Sequence, residues 1–148
     1  MTDRATIEAT DADRIRARAQ QVFRDHLDLL SSGRTDEWAE LFTEDGVLEH
    51  PYAPDAEGYE KKIVGRANLA EYIKVFPATF DVEFVNLRFH ETIDPSLVIA
   101  EFNSVGRLVQ TGRPIEQTYI SVVETRDGKI SRYVDYWNPL LTPETVSK

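Results

Sequence analysis

Apolar residues recur along this chain first at helical and then at strand spacing. From Asp11 onward Ile15, Ala19, Val22, Phe23, His26, Leu27 and Leu30 return every three or four positions, which predicts an amphipathic helix. Asp11 or Asp13 can cap its start, and Ser31-Ser32-Gly33 ends it, with Gly suited to the left-handed position after a helix. Thr35 is placed to cap a short second helix, Asp36 to Phe42, with Trp38, Leu41 and Phe42 on one face. Val47 to His50 reads as a strand stopped by Pro51, and Lys62 to Val64 as another ended by Gly65, with a polar loop between them. Leu69, Tyr72, Ile73 and Phe76 mark a third helix from about Arg66, stopped by Pro77. Everything after that alternates: Phe80–His90, Leu97–Leu108, Ile115–Thr125 and Lys129–Trp137, with turn residues between them. Helices followed by an antiparallel meander predict an α+β domain.

Composition narrows the partners. The 148 residues suit one domain, with an ordered core over about 12–139. No apolar run approaches the roughly 20 residues that cross a bilayer, and the N-terminus lacks the apolar stretch of a signal peptide. The expectation is a cytoplasmic protein without a membrane partner. Cysteine is absent, which removes disulfides and thiolate chemistry. A net charge of −9 argues against nucleic acid, whose phosphates call for clustered Lys and Arg. No His-x-His or His-Glu-x-x-His spacing, phosphate loop or nucleophile elbow occurs, so neither metal nor cofactor is expected.

The candidate chemistry sits at strand ends. His50 closes the first strand and can exchange a proton near neutrality. Asp135 lies near the end of the last strand among aromatics, where burial would raise its pKa. Together they suggest a divided acid and base in one apolar pocket, or an Asp135 that orients His50. Asp135 could instead be a buried acid pinned by Arg88 or Arg132, and His50 a strand-end residue bonded to backbone. Strand alternation puts Ser131, Tyr133, Asp135 and Trp137 on one face. A two-residue Asp-Gly loop would pair Asp135 with Ile120. A three-residue loop would pair it with Tyr119 and place Gln117, Tyr119 and Val123 beside it, which is preferred for their hydrogen-bonding capacity.

Trp38, Tyr52, Tyr72, Phe76, Phe84, Phe102, Gln117, Tyr119 and Trp137 are the predicted ligand-facing set, with Tyr52 and Tyr119 hydroxyls able to polarise a carbonyl. Glu101, mid-strand, belongs on the outer sheet face, at a dimer interface or in the pocket. Glu83 and Arg88 are expected on opposite strand faces. His26 reads as a satisfied core histidine, and His90 as an exposed strand end.

Several local runs carry a resemblance: Leu41-Phe42-Thr43-Glu44-Asp45-Gly46, Glu49-His50-Pro51-Tyr52-Ala53-Pro54, Gly65-Arg66, Phe89-His90-Glu91-Thr92-Ile93-Asp94-Pro95, and Asp127-Gly128-Lys129-Ile130 leading to Asp135-Tyr136-Trp137-Asn138-Pro139. From about Ala12 to Pro139 the chain resembles the cone-shaped NTF2-like superfamily. That group includes ketosteroid isomerase, SnoaL-type polyketide cyclases and the PhzA/PhzB proteins. The resemblance implies N-terminal helices packed on a curved antiparallel sheet, and a homodimer formed through the outer sheet face. It also implies cofactor-independent isomerisation, cyclisation or dehydration of a hydrophobic cyclic or polyketide-like metabolite. Members that only bind small molecules or proteins supply the alternative. Asp135 matches the last-strand acid of the cyclases and of the PhzA/PhzB proteins. His50 stands where ketosteroid isomerase has its Asp, and Lys74-Val75-Phe76-Pro77 lacks the His of the PhzA/PhzB proteins. What remains is a generic SnoaL-like assignment.

Overall fold

The computed structural model describes residues 10–141. Helix α1 (Asp11–Ser31) opens on a capping box centred on Thr10, not on an aspartate cap. The Thr10 hydroxyl accepts from Asp13 N–H at 3.0 Å, and the Asp13 carboxylate accepts from Thr10 N–H at 3.2 Å. A hydroxyl and an acid three residues apart satisfy each other's otherwise orphaned backbone donors. Ala19, Val22, Phe23, His26, Leu27 and Leu30 are buried, whereas Ile15 is 45% exposed, so the stripe starts one turn later than its spacing suggests.

Helix α2 (Thr35–Ala39) is shorter than predicted, and Thr35 does not cap it. It still buries Trp38. The chain leaves the helix early because the sheet takes it: Ile130 N–H donates to the Leu41 carbonyl at 2.8 Å, and Phe42 begins β1 (Phe42–Glu49). The register of β1 breaks between Phe42 and Val47, where the polar run Thr43–Gly46 masks a strand from its sequence pattern. After β2 (Lys62–Val64) the predicted third helix proves to be two, α3 (Arg66–Ile73) and α4 (Val75–Thr79). Pro77 lies in the first turn of α4, where a missing N–H forfeits no helical bond, so it does not stop the segment.

Strands β3 (Phe80–His90), β4 (Leu97–Leu108), β5 (Pro114–Arg126) and β6 (Lys129–Trp137) form the expected antiparallel meander. The sheet runs β2-β1-β6-β5-β4-β3, and β1 lies parallel to β6. The curved sheet is therefore mixed, not wholly antiparallel. The chain between this parallel pair is most of the domain, so no local pattern discloses it. Asn86, at φ +59°, bulges β3 and shifts its register by one residue between Val85 and Arg88. The extra residue reverses the alternation. Glu83 and Arg88, expected on opposite faces, are thereby both exposed. Glu101 pairs with Arg88 and His90 on this outer face, outside the interior.

The core lies between the helices and the inner sheet face. Phe23, Trp38, Phe42, Leu69, Val98, Val123 and Ile130 are almost fully buried there. Phe23 meets the Phe102 ring edge-on at 5.5 Å. Each such side chain stabilises the fold by about 1.5–3 kcal/mol relative to exposure.

Candidate active site

The last hairpin positions the acid. Asp127 and Gly128, both at positive φ, form a two-residue loop between the paired Arg126 and Lys129. The register then shifts between Glu124 and Thr125, with Ser131 left unpaired, so Asp135 faces Ser121. Neither expected partner, Ile120 or Tyr119, is opposite it. The two deviations combine so that the preferred inward set survives: Tyr119, Ser121 and Val123 share a face with Tyr133, Asp135 and Trp137. Ser131 leaves that face, and Ile130 fills the core position in its place.

Inside the cone lies a cavity of about 430 Å³. Leu30, Trp38, Leu48, Ile73, Phe76 and Val82 contribute apolar wall. His50, Tyr72, Tyr119 and Asp135 face it with polar atoms. Of the predicted ligand-facing set, Trp38, Tyr72, Phe76, Gln117, Tyr119 and Trp137 line this cavity with His50 and Asp135. Tyr52, Phe84 and Phe102 do not. Tyr52 is 59% exposed because it follows the strand-ending Pro51 and turns outward onto Tyr136. Phe84 and Phe102 pack against each other, with Phe102 stacked behind Tyr119 at 4.7 Å. Gln117 has a backbone partner: its amide accepts from Asn138 N–H and donates to the Asn138 carbonyl, both at 2.9 Å. That clamp holds the chain beyond Trp137 over the cavity.

The Asp135 side chain is only 15% exposed. Burial pushes its pKa up to about 7, although the Ser121 hydroxyl, donating to Oδ1 at 3.1 Å, favours the charged form. Neither arginine weighed as its partner reaches it: Arg88 binds Glu101, and Arg132 binds Glu49 and Glu124. His50 lies with Nδ1 3.9 Å from Asp135 Oδ2. Burial pulls the imidazole down to about 4, so this contact is not an ion pair at neutral pH. His50 was expected to exchange a proton near neutrality from its ordinary value; burial instead lowers its titration to about 4 and raises that of Asp135 to about 7.

Two Trp–His–Tyr arrangements flank the acid. Trp137 Nε1–H donates to His50 Nδ1 at 3.2 Å, and His50 Nε2 meets the Tyr72 hydroxyl at 3.3 Å. Trp38 Nε1–H donates to His26 Nδ1 at 3.3 Å, and His26 Nε2 meets the Tyr133 hydroxyl at 3.1 Å. An indole nitrogen can only donate. Each neutral imidazole therefore keeps its proton on Nε2 and donates to its tyrosine. In the second set the direction propagates: Tyr133 donates to Ser121 at 3.0 Å, and Ser121 donates to Asp135. In the first set the Tyr72 proton is left to point into the cavity. Burial and the nearby Asp135 and Glu60 carboxylates raise Tyr72 to about 12, so it stays protonated. The Tyr119 hydroxyl shares a 3.0 Å hydrogen bond with Ser104 and is likewise raised by burial.

Ser104, Ser121 and Glu60 were not singled out in sequence as parts of this site, and Tyr133 was placed beside Asp135 by strand parity but not among the ligand-facing set. The two serines carried one signal, a small hydroxyl at an inward position of an apolar strand. His26 is the satisfied core histidine expected, yet it also lines the cavity. Among the described residues no cluster of His, Asp and Glu has metal-binding geometry, and no helix is long and apolar enough to cross a membrane.

A cone of helices closed over a curved sheet, with an acid on the last strand looking into an apolar cavity, defines a member of the NTF2-like fold class. The chain belongs to the SnoaL-like domain family, whose model matches residues 23–133. It is 41% identical over 122 residues to an uncharacterized PhzA/B-like protein of Pseudomonas aeruginosa, covering 82% of this chain and 85% of that one. The uncharacterized protein YesE of Bacillus subtilis is 47% identical over 108 residues, 72% of each chain. A Bacillus subtilis crystal structure provisionally called an isomerase superposes with a TM-score of 0.79 at 40% identity, covering 84% of this chain and 89% of that one.

Proposed function

We propose that the protein catalyses cofactor-independent proton transfer on a small hydrophobic cyclic or polyketide-like metabolite, as an isomerase, cyclase or dehydratase. One observation carries this reading: Asp135, raised to about 7, faces an apolar cavity beside the Tyr72 and Tyr119 hydroxyls. A carboxyl that titrates at working pH can both take and return a proton. In the proposed step the Asp135 carboxylate removes a C–H proton adjacent to a carbonyl. Tyr72 donates to the oxygen as negative charge builds there, and protonated Asp135 returns the proton at another carbon. His50 holds Tyr72 in its donor orientation and exchanges no proton itself. A preorganised donor of this kind is worth about 3–4 kcal/mol, and a placed base roughly 10²–10⁴-fold in rate. The isomerase name given to the Bacillus subtilis structure agrees with this chemistry.

The test uses 2-tetralone, a flat, uncharged ketone with an acidic C–H. Deuterium uptake from D₂O, followed by proton NMR, should be accelerated by the protein. It should fall about 100-fold or more in Asp135→Asn and less in Tyr72→Phe. Exchange that is undiminished in Asp135→Asn ends the proposal.

A further inference from the structure

We infer that the cavity recognises an uncharged, oxygen-bearing ring compound and discriminates against its anionic analogues. The inference rests on the reading of this cavity as a ligand site, and it names the class of ligand. The titratable groups that line the cavity are acids, phenols and imidazoles, with Glu60 and Glu116 also exposed to solvent. Asp135 comes from β6, Glu60 from the loop before β2 and Glu116 from β5, while Tyr59, Tyr72, Tyr119 and Tyr133 supply phenols. Among the described residues no lysine or arginine lines the cavity. The cations nearby in sequence are spent on outer partners: Lys61 on Asp55, Lys74 on Glu71, and Arg132 on Glu49 and Glu124.

Among the described residues the imidazoles are the remaining candidates to answer an anion, and burial and the indoles oppose it, although the Asp135 backbone carbonyl favours a charged His50. A His50 or His26 that took up a second proton would place it on Nδ1, where Trp137 and Trp38 already point an N–H at 3.2 and 3.3 Å. Two donors would then face one another across a buried contact. Both imidazoles are thus fixed as neutral donors toward tyrosines. A carboxylate, sulfonate or phosphate entering here would shed its water, find no counter-charge and meet the Asp135 carboxylate in an apolar surrounding. A carbonyl, ester or phenol loses much less on desolvation and finds the Tyr72 hydroxyl proton waiting. Trp38, Phe76, Tyr119 and Trp137 supply the aromatic wall that a ring compound would contact.

A matched pair of fluorescent probes tests this: uncharged N-phenyl-1-naphthylamine and 8-anilino-1-naphthalenesulfonate, the same skeleton bearing a sulfonate. Energy transfer from Trp38 and Trp137 reports occupancy of the cavity, and 2-tetralone should displace either probe. At pH 8, with Asp135 ionised, the uncharged probe should bind at least ten-fold more tightly. Asp135→Asn should narrow the gap at least three-fold by strengthening the sulfonate, and Glu60→Gln, at the mouth, should narrow it less. Equal or tighter binding of the sulfonate in the native protein overturns the inference. So does a gap that neither substitution moves. Charge discrimination without proton exchange on 2-tetralone would remove the catalytic reading and leave this inference standing. Exchange with no discrimination would do the reverse.

Discussion

Replacing Asp135 by Asn should stabilise the protein, and only above about pH 4. An ordinary Asp titrates near 3.8, whereas burial moves Asp135 to about 7. Between these values the unfolded chain has released this proton and the folded chain has not, so unfolding is favoured by about 1.4 kcal/mol per pH unit. Stability contributed by this group is therefore complete below pH 4 and is lost as the pH rises to 7. Across that window of about three pH units the loss reaches about 4 kcal/mol. This is an upper bound, because the side chain is 15% exposed and opens on a cavity. Against a typical total stability of about 5–15 kcal/mol, the effect is large. The neutral imidazoles act in the opposite sense: with folded values of about 4 and about 3, His50 and His26 add stability as the pH rises toward 6.5. The slope of His26 is common to both proteins and cancels in the difference; His50, 3.9 Å from the substituted group, cancels only above about pH 6.5, where its imidazole is neutral folded and unfolded. Urea unfolding of the native protein and Asp135→Asn, at matched concentration from pH 4 to 8.5, isolates the term. The difference should be near zero at pH 4, climb to pH 7 and level off. A flat difference would show that the carboxyl is solvated, and the argument for a neutral-pH acid would go with it.

Ser121→Ala removes the hydroxyl that favours the Asp135 carboxylate, so the midpoint should rise above 7; a carboxyl ¹³C titration that does not move would show that Ser121 donates elsewhere. His26→Leu strands the Trp38 N–H and removes the donor to the Tyr133 hydroxyl, which keeps its bond to Ser121, and should cost about 1–3 kcal/mol in chemical unfolding. His26→Gln, which can accept from one and donate to the other, should recover most of that, and equal stability of the Leu and native proteins would discount the chain. The homodimer expected from the resemblance is a proposal that sedimentation equilibrium decides: a species of twice 16.9 kDa supports it, and a 16.9 kDa monomer removes it.

The broad architecture was legible because it is written in short-range periodicity. The repeat from Ala19 to Leu30 could only be a helix facing a core, and the alternation of Phe80–His90 and Leu97–Leu108 could only be sheet. Asp135 could be singled out for the same reason, as an acid that strand parity places among Tyr133 and Trp137. Tertiary structure decided whatever depends on one inserted residue or on a distant partner. The bulge at Asn86 turned Glu83 and Arg88 to the same side, and the unpaired Ser131 brought Ser121 opposite the acid. The parallel union of β1 with β6 joins residues more than half the chain apart, so their spacing carries no trace of it. Most of all, burial moved the two titrations in opposite directions, that of His50 down to about 4 and that of Asp135 up to about 7. A pKa belongs to an environment, and the indole of Trp137 beside His50 and the apolar wall around Asp135 exist only once the helices have closed over the sheet.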